Sequence, residues 1–201
     1  MEIKIIDEKY HLRDKVLNQL DKLTIDFITV LDKYNIRYVL ISGYVAILFG
    51  RSRNSEDIDL FVENIDFETF KKIWTDLSIK FECVILDDVN DAFFEYLNQG
   101  LPLRFAIKNT FIPNIEVKIA KMKLDIWALK NKKEVILNNN TLLKISPLEL
   151  QIPYKLFLSS EKDIEDAKHL YNRFKNKLDQ KLFDYFICEL KVSELFRKYL
   201  L

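Results

Sequence analysis

The stretch YVLISGYVAILFGRSRNSEDIDLFV, residues 38–62, restricts the fold more than any other part of the 201-residue chain. The apolar run RYVLI reads as a short strand that stops at Ser42-Gly43. YVAILF follows as a short helix ending at Gly50, and the polar loop RSRNSE leads to a second strand, DIDLFVE. A strand that ends in a small-residue turn and passes straight into a helix offers backbone N–H groups and a helix N-terminus to an anion. The missing side chain at Gly43 lets a phosphate come close, and the Ser42 hydroxyl adds a donor. In the second strand a period of two sends Asp57 and Asp59 to one face and Ile58 and Leu60 to the other. Two carboxylates on one face at a strand end form a hard-oxygen site suited to Mg²⁺, the usual partner of phosphoryl and nucleotidyl transfer.

Composition sharpens this reading. Glycine accounts for 3 residues, against an average usage of about 7%, and Gly43 and Gly50 bracket the short helix. Scarce glycine and proline exclude collagen-like and low-complexity classes. The 31 basic and 31 acidic side chains cancel, which argues against a broad nucleic-acid or anionic-membrane footprint. No apolar run has spanning length, and the N-terminal MEIKIIDEKY lacks a secretory apolar region. Cys83 and Cys188 fit neither a metal nor a redox pair and read as buried or partly buried thiols in a reducing cytoplasm.

The rest of the chain reads as an α/β (α+β) body with an N-terminal helix over residues 1–145, followed by a helical region over 146–201. Leu12, Val16, Leu20, Leu23, Phe27, Val30 and Leu31 predict a helix over 10–35. A second amphipathic helix spans 66–79, with Asp66 as cap and Phe67, Phe70, Ile73, Trp74 and Leu77 inward. Strands are expected at 81–86, 101–107 and 114–120, with a short helix at 89–98. Residues 121–133 are ambiguous, and 133–145 read as a hairpin turning at Asn138-Asn139-Asn140. Beyond Ser146, read as the cap of a helix with Pro147 in its first position, three helical segments follow; Pro153 is expected to kink or interrupt the first.

A third carboxylate is wanted on a neighbouring strand, where it would ligate a metal and ease deprotonation of an attacking hydroxyl. In NIEVKIA, Ile115 and Val117 face the core, so Glu116 and Lys118 share the other face; Asp125 is the runner-up. Residues 39–62 resemble the signature of the DNA polymerase β-type nucleotidyltransferase superfamily, a small Gly/Ser turn followed at an interval by Asp-apolar-Asp. More narrowly, GYVAILFGRSRNSEDIDLFV resembles the abortive-infection type II toxin (AbiEii-like) group, with Arg53 and Ser55 before the Asp pair. The later helices resemble the same group at Lys155, Lys162, Asp163 and Asp166. The turn departs from the family order, reading Ser-Gly where the family has glycine first.

The resemblance implies a mixed-sheet nucleotidyltransferase core. It implies Asp57, Asp59 and Glu116 as catalytic and metal-holding residues for two Mg²⁺ or Mn²⁺ ions with bound NTP. Ser42, Gly43, Arg53, Ser55, Lys118, Lys155, Lys162 and Asp163 would bind substrate. The acceptor would be an RNA 3′ end, a protein or a small molecule, and a toxin of this kind would have an antitoxin-like protein partner.

Plainer readings stand beside these. Ser160-x-x-Asp163 is also a helix-capping pattern, and Arg51 and Arg53 are also loop charges. Lys118, Lys121, Lys123, Lys130, Lys132 and Lys133 form either a solvated face or an RNA-contact patch. His11 and His169 lack zinc or triad spacing. A catalytically weak nucleotide-binding or partner-binding module of the same fold is the alternative to the enzyme.

Overall fold

The structure, a computed structural model, describes residues 1–138 and 140–201; Asn139, the centre of the expected asparagine turn, lies outside the described residues. Among these, nine strands form one mixed sheet in the order β1-β2-β8-β9-β3-β4-β7-β6-β5. The strands are β1 (Glu2–Ile6), β2 (Lys9–Arg13), β3 (Tyr38–Ile41), β4 (Asp57–Val62), β5 (Phe81–Cys83), β6 (Leu103–Ile107), β7 (Asn114–Ile119), β8 (Lys133–Leu137) and β9 (Thr141–Ile145). The helices are α1 (Gln19–Lys33), α2 (Ser42–Leu48), α3 (Phe67–Leu77), α4 (Val89–Asp91, continuing irregularly to Gln99), α5 (Lys123–Lys130), α6 (Leu148–Leu158), α7 (Glu161–Phe174), α8 (Gln180–Glu189) and α9 (Ser193–Leu200).

The main correction lies at the N-terminus. The helix expected over 10–35 begins only at Gln19, where the Asn18 side chain accepts the Asp21 N–H in a capping box. Before it, β1 and β2 form a hairpin turning at Asp7 and Glu8, both at positive φ, and β2 runs parallel to β8. Tyr10 and Leu12 are buried with a period of two, while Val16 is 90% exposed. The four-residue steps from Leu12 to Leu20 therefore mimic a helix that strand pairing overrides.

The β3-turn-α2-loop-β4 unit forms as its sequence predicts. In β4, Ile58, Leu60 and Val62 enter the main core, leaving Asp57, Asp59 and Phe61 on the opposite face. Asp66 caps α3 through the Thr69 N–H, and the ambiguous 121–133 segment resolves as helix α5. Strand pairing in β5 stops at Cys83, short of the expected residue 86. Pro147, not Ser146, is the cap residue of α6, and α6 continues through Pro153 without interruption. Leu148, Ile152 and Leu156 of α6 are buried in the main core, so packing holds the helix despite the lost hydrogen bond. These residues share that core with Tyr10, Leu40 and Phe49, joining the helical region to the sheet. Cys83 is half-buried, but Cys188 is exposed, contrary to expectation.

Candidate active site

The central strands β3, β4 and β7 build the site. The β4–β7 parallel ladder pairs Asp57 with Asn114 and Asp59 with Glu116, while Ile41, the last residue of β3, pairs with Asp59. Register thus sets Glu116 beside Asp59, and Ser42, next after Ile41, begins α2 at the same end. Ser42 has φ 61°, the left-handed region that favours glycine, a strain of order 1 kcal/mol. Glycine adopts this conformation without strain, so serine needs support here. Gln151 of α6 clamps the turn, donating from Nε2 to the Ser42 carbonyl at 2.9 Å and accepting the Ser42 N–H at 3.4 Å.

A polar cleft of about 380 Å³ opens above this turn. Of the predicted residues it gathers Ser42, Arg53, Ser55, Asp57, Asp59, Lys155, Lys162 and Asp163. Ser55 donates to the Asp57 carbonyl and carboxylate at 3.1 and 3.3 Å. Lys155, 2% exposed, donates to the Ser42 hydroxyl at 3.4 Å and to Asp163 at 2.5 Å, and sits 3.1 Å from Asp166. Asp166 is fully buried and also pairs with Arg51 and Arg53. Arg51 further donates to the Lys162 carbonyl, which ties the loop after α2 to the start of α7. Ser160 caps α7 by accepting the Asp163 N–H, so the capping role read from sequence coexists with a place on the cleft wall.

Gly43 lies against the Arg53 side chain. A Cβ on Gly43 would collide with the Arg53 guanidinium. The absent side chain thus lets an arginine tethered to Asp166 lie against the start of α2.

The carboxylates interact electrostatically. Burial, with the charges of Asp57 and Glu116, pushes the Asp59 carboxyl up to about 6. Burial opposes ionisation of Glu116 as well, but hydrogen bonds from Lys118 and Arg104 outweigh it and hold its carboxyl below the usual range. Lys118 Nζ lies 2.5 Å from Oε1, and Arg104 donates to Oε2 at 3.0 and 2.8 Å. As the side chains stand, no group of three or more His, Cys, Asp or Glu among the described residues is arranged to hold a metal ion. Asp57 and Asp59 nevertheless supply the hard oxygens a magnesium ion takes. The repulsion from Asp57 and Glu116 that adds to burial in raising Asp59 is what a bound cation would relieve, so the donor set fits. Asp125, on α5, accepts the Met122 N–H at 3.1 Å.

No local sequence pattern marks Arg104 or Gln151 as a site residue. Arg104 alternates with the buried Leu103 and Phe105 in β6, but only the ladder shows that it pairs with Glu116. Gln151 is a polar residue within an apolar helix, a weak signal by itself. Within the lysine cluster, Lys118 pairs with Glu116, Lys123 with Glu189 and Lys133 with Glu8, and Lys121 donates to the Asn98 carbonyl.

No protein-family model matches the chain, and no curated protein matches it. Among solved structures it is similar to an antigenic nucleotidyltransferase-like protein from Paracoccidioides brasiliensis, with TM-score 0.52 and 16% identity over 92% of this chain and 94% of that one. It is also similar to ANT(2")-Ia in complex with adenylyl-2"-tobramycin, with TM-score 0.53 and 12% identity over 86% of this chain and 99% of that one. A solution structure of the antibiotic-resistance factor ANT(2'')-Ia matches with TM-score 0.51 and 10% identity over 90% and 99%. At these identities the likeness is one of fold: the chain has the mixed α/β architecture of nucleotidyltransferases.

Proposed function

We propose that the protein is a metal-dependent nucleotidyltransferase that moves a nucleotidyl group from an NTP to a hydroxyl acceptor. The observation that carries this reading is the cleft itself, where Asp57 and Asp59 meet the Ser42 turn with Arg53, Lys155 and Lys162 on the same walls. In it the triphosphate lies along the start of α2 against these cations. Asp57 and Asp59 would hold Mg²⁺ or Mn²⁺, with Glu116 as third acid, and the ions would neutralise charge developing on the transferred phosphorus. The acceptor oxygen bonds to the α-phosphorus, the α–β bridging bond breaks, pyrophosphate leaves, and the acceptor proton passes to a carboxylate of the cluster. An RNA 3′ end, a protein or a small molecule would serve as acceptor. The resemblance to abortive-infection toxins further proposes a cytoplasmic toxin with an antitoxin-like partner. Among the described residues no helix is long and apolar enough to cross a membrane.

The test is incubation with each labelled NTP, Mg²⁺ or Mn²⁺, and total cellular RNA and protein. Labelled product and pyrophosphate are expected from the native chain, and neither from Asp57→Ala/Asp59→Ala. Pyrophosphate release that ignores both substitutions overturns the mechanism. One observation favours a second reading, a nucleotide-binding module without turnover: Glu116 is neutralised by Arg104 and Lys118. Metal-dependent NTP binding with no transfer to any acceptor would establish that module instead.

A further inference from the structure

Ser42 and Asp59 line two cavities. The second, of about 200 Å³, lies between the sheet, α5 and α6 and is walled chiefly by Phe61, Leu124, Leu150 and Tyr154. Its volume falls below the roughly 300–1,000 Å³ of sites that enclose a drug-sized ligand, so it suits one ring system. A molecule spanning both cavities has a polyanionic end among Arg53, Lys155 and Lys162 and a flat, largely apolar end among these side chains.

The second cavity also has a polar edge. Asp125 lines it, and one of its carboxylate oxygens already accepts the Met122 N–H, which leaves the other for a ligand. Ser146 lines it at 2% exposure. Tyr154 stands at the mouth, 39% exposed. Burial, and then the charge of Asp125, pushes the Tyr154 phenol up.

Resting on the nucleotidyltransferase reading, we propose that this cavity receives the nucleobase of the donor, stacked on Tyr154 and selected by Asp125. An ionised carboxylate only accepts hydrogen bonds. It pairs with an exocyclic amino group, which adenine, cytosine and guanine carry, whereas uracil has none and its one ring N–H is flanked by two carbonyls of like partial charge. Selection therefore favours ATP, CTP and GTP over UTP.

Calorimetry with Mg²⁺ present tests this, using the four NTPs and inorganic tripolyphosphate, which reaches only the polar cleft. Tyr154→Ala is expected to weaken ATP binding about tenfold, within the range for loss of one base–aromatic stack, while tripolyphosphate affinity and the thermal midpoint stay unchanged. Tyr154→Phe is expected to retain ATP binding. Asp125→Asn, which keeps an acceptor for the Met122 N–H, is expected to erase the preference of ATP over UTP. If Tyr154→Ala leaves NTP affinity unchanged, or raises only the KM of the acceptor, the base assignment is overturned while the phosphate cleft stands. If tripolyphosphate fails to bind the native chain, the cleft reading itself is overturned, and this proposal with it.

Discussion

Arg53 and Gly43 form one unit, because the guanidinium occupies the space a side chain at residue 43 would need. Gly43→Ala forces the Arg53 guanidinium to shift and is expected to weaken its pairing with Asp166 and NTP binding. In an Arg53→Ala background the same change is expected to be nearly silent. The resulting coupling energy of about 0.5–3 kcal/mol, the range for residues in contact, is measurable by urea denaturation of the double-mutant cycle. Strictly additive effects would contradict the contact. Gln151→Ala removes both hydrogen bonds that hold the Ser42 backbone at φ 61°. A loss of about 1–3 kcal/mol is expected, together with a raised KM for NTP, and Gln151→Glu is expected to restore only the N–H contact. Steady-state kinetics beside the denaturation curves would separate the two effects.

At the scale of elements, the decisive junction joins the loop after α2 to α6 and α7 through the ion group around Asp166. Asp166→Ala leaves Arg51, Arg53 and Lys155 without their buried counter-charge, and a loss of about 3–5 kcal/mol is expected, read from the shift in denaturation midpoint. The neighbouring Asp163 adds a pH dependence. Burial would raise its pKa, but hydrogen bonds from Lys155 and Ser160 lower it below the ordinary carboxylate value. A lowered folded-state pKa contributes stability that is full above the unfolded value, about 3.9, and is lost as pH falls through the lower folded one. Denaturation midpoints are therefore expected to drop more between pH 6 and pH 3, an interval of about three units spanning that value, in the native chain than in Asp163→Asn. Equal slopes would remove Asp163 from the account.

Across the whole molecule, the N-terminal hairpin is part of the fold, since β2 lies against β8 and Leu12 is fully buried. Leu12→Ala is expected to cost about 2–5 kcal/mol, visible as a lowered thermal midpoint, whereas Val16→Ala at its exposed position is expected to change little. The contrast also marks how far the sequence could be read. The Ser-Gly turn, the Asp57/Asp59 face and the caps at Asp66 and Ser160 are local patterns, in which a few adjacent residues specify backbone and side-chain direction, and they are legible without a fold. Leu12 and Val16 are not, because three- and four-residue spacing is shared by helices and by chance, and only pairing with β8 decides between them. The same holds for the site. Sequence alone determined which strand carries the acids and which small-residue turn ends the strand beside it. Tertiary structure alone decided that Arg104 and Lys118 hold Glu116, that Arg53 lies on Gly43, and that Gln151 secures Ser42, because these contacts join residues distant along the chain and exist only once strand register and helix packing bring them together.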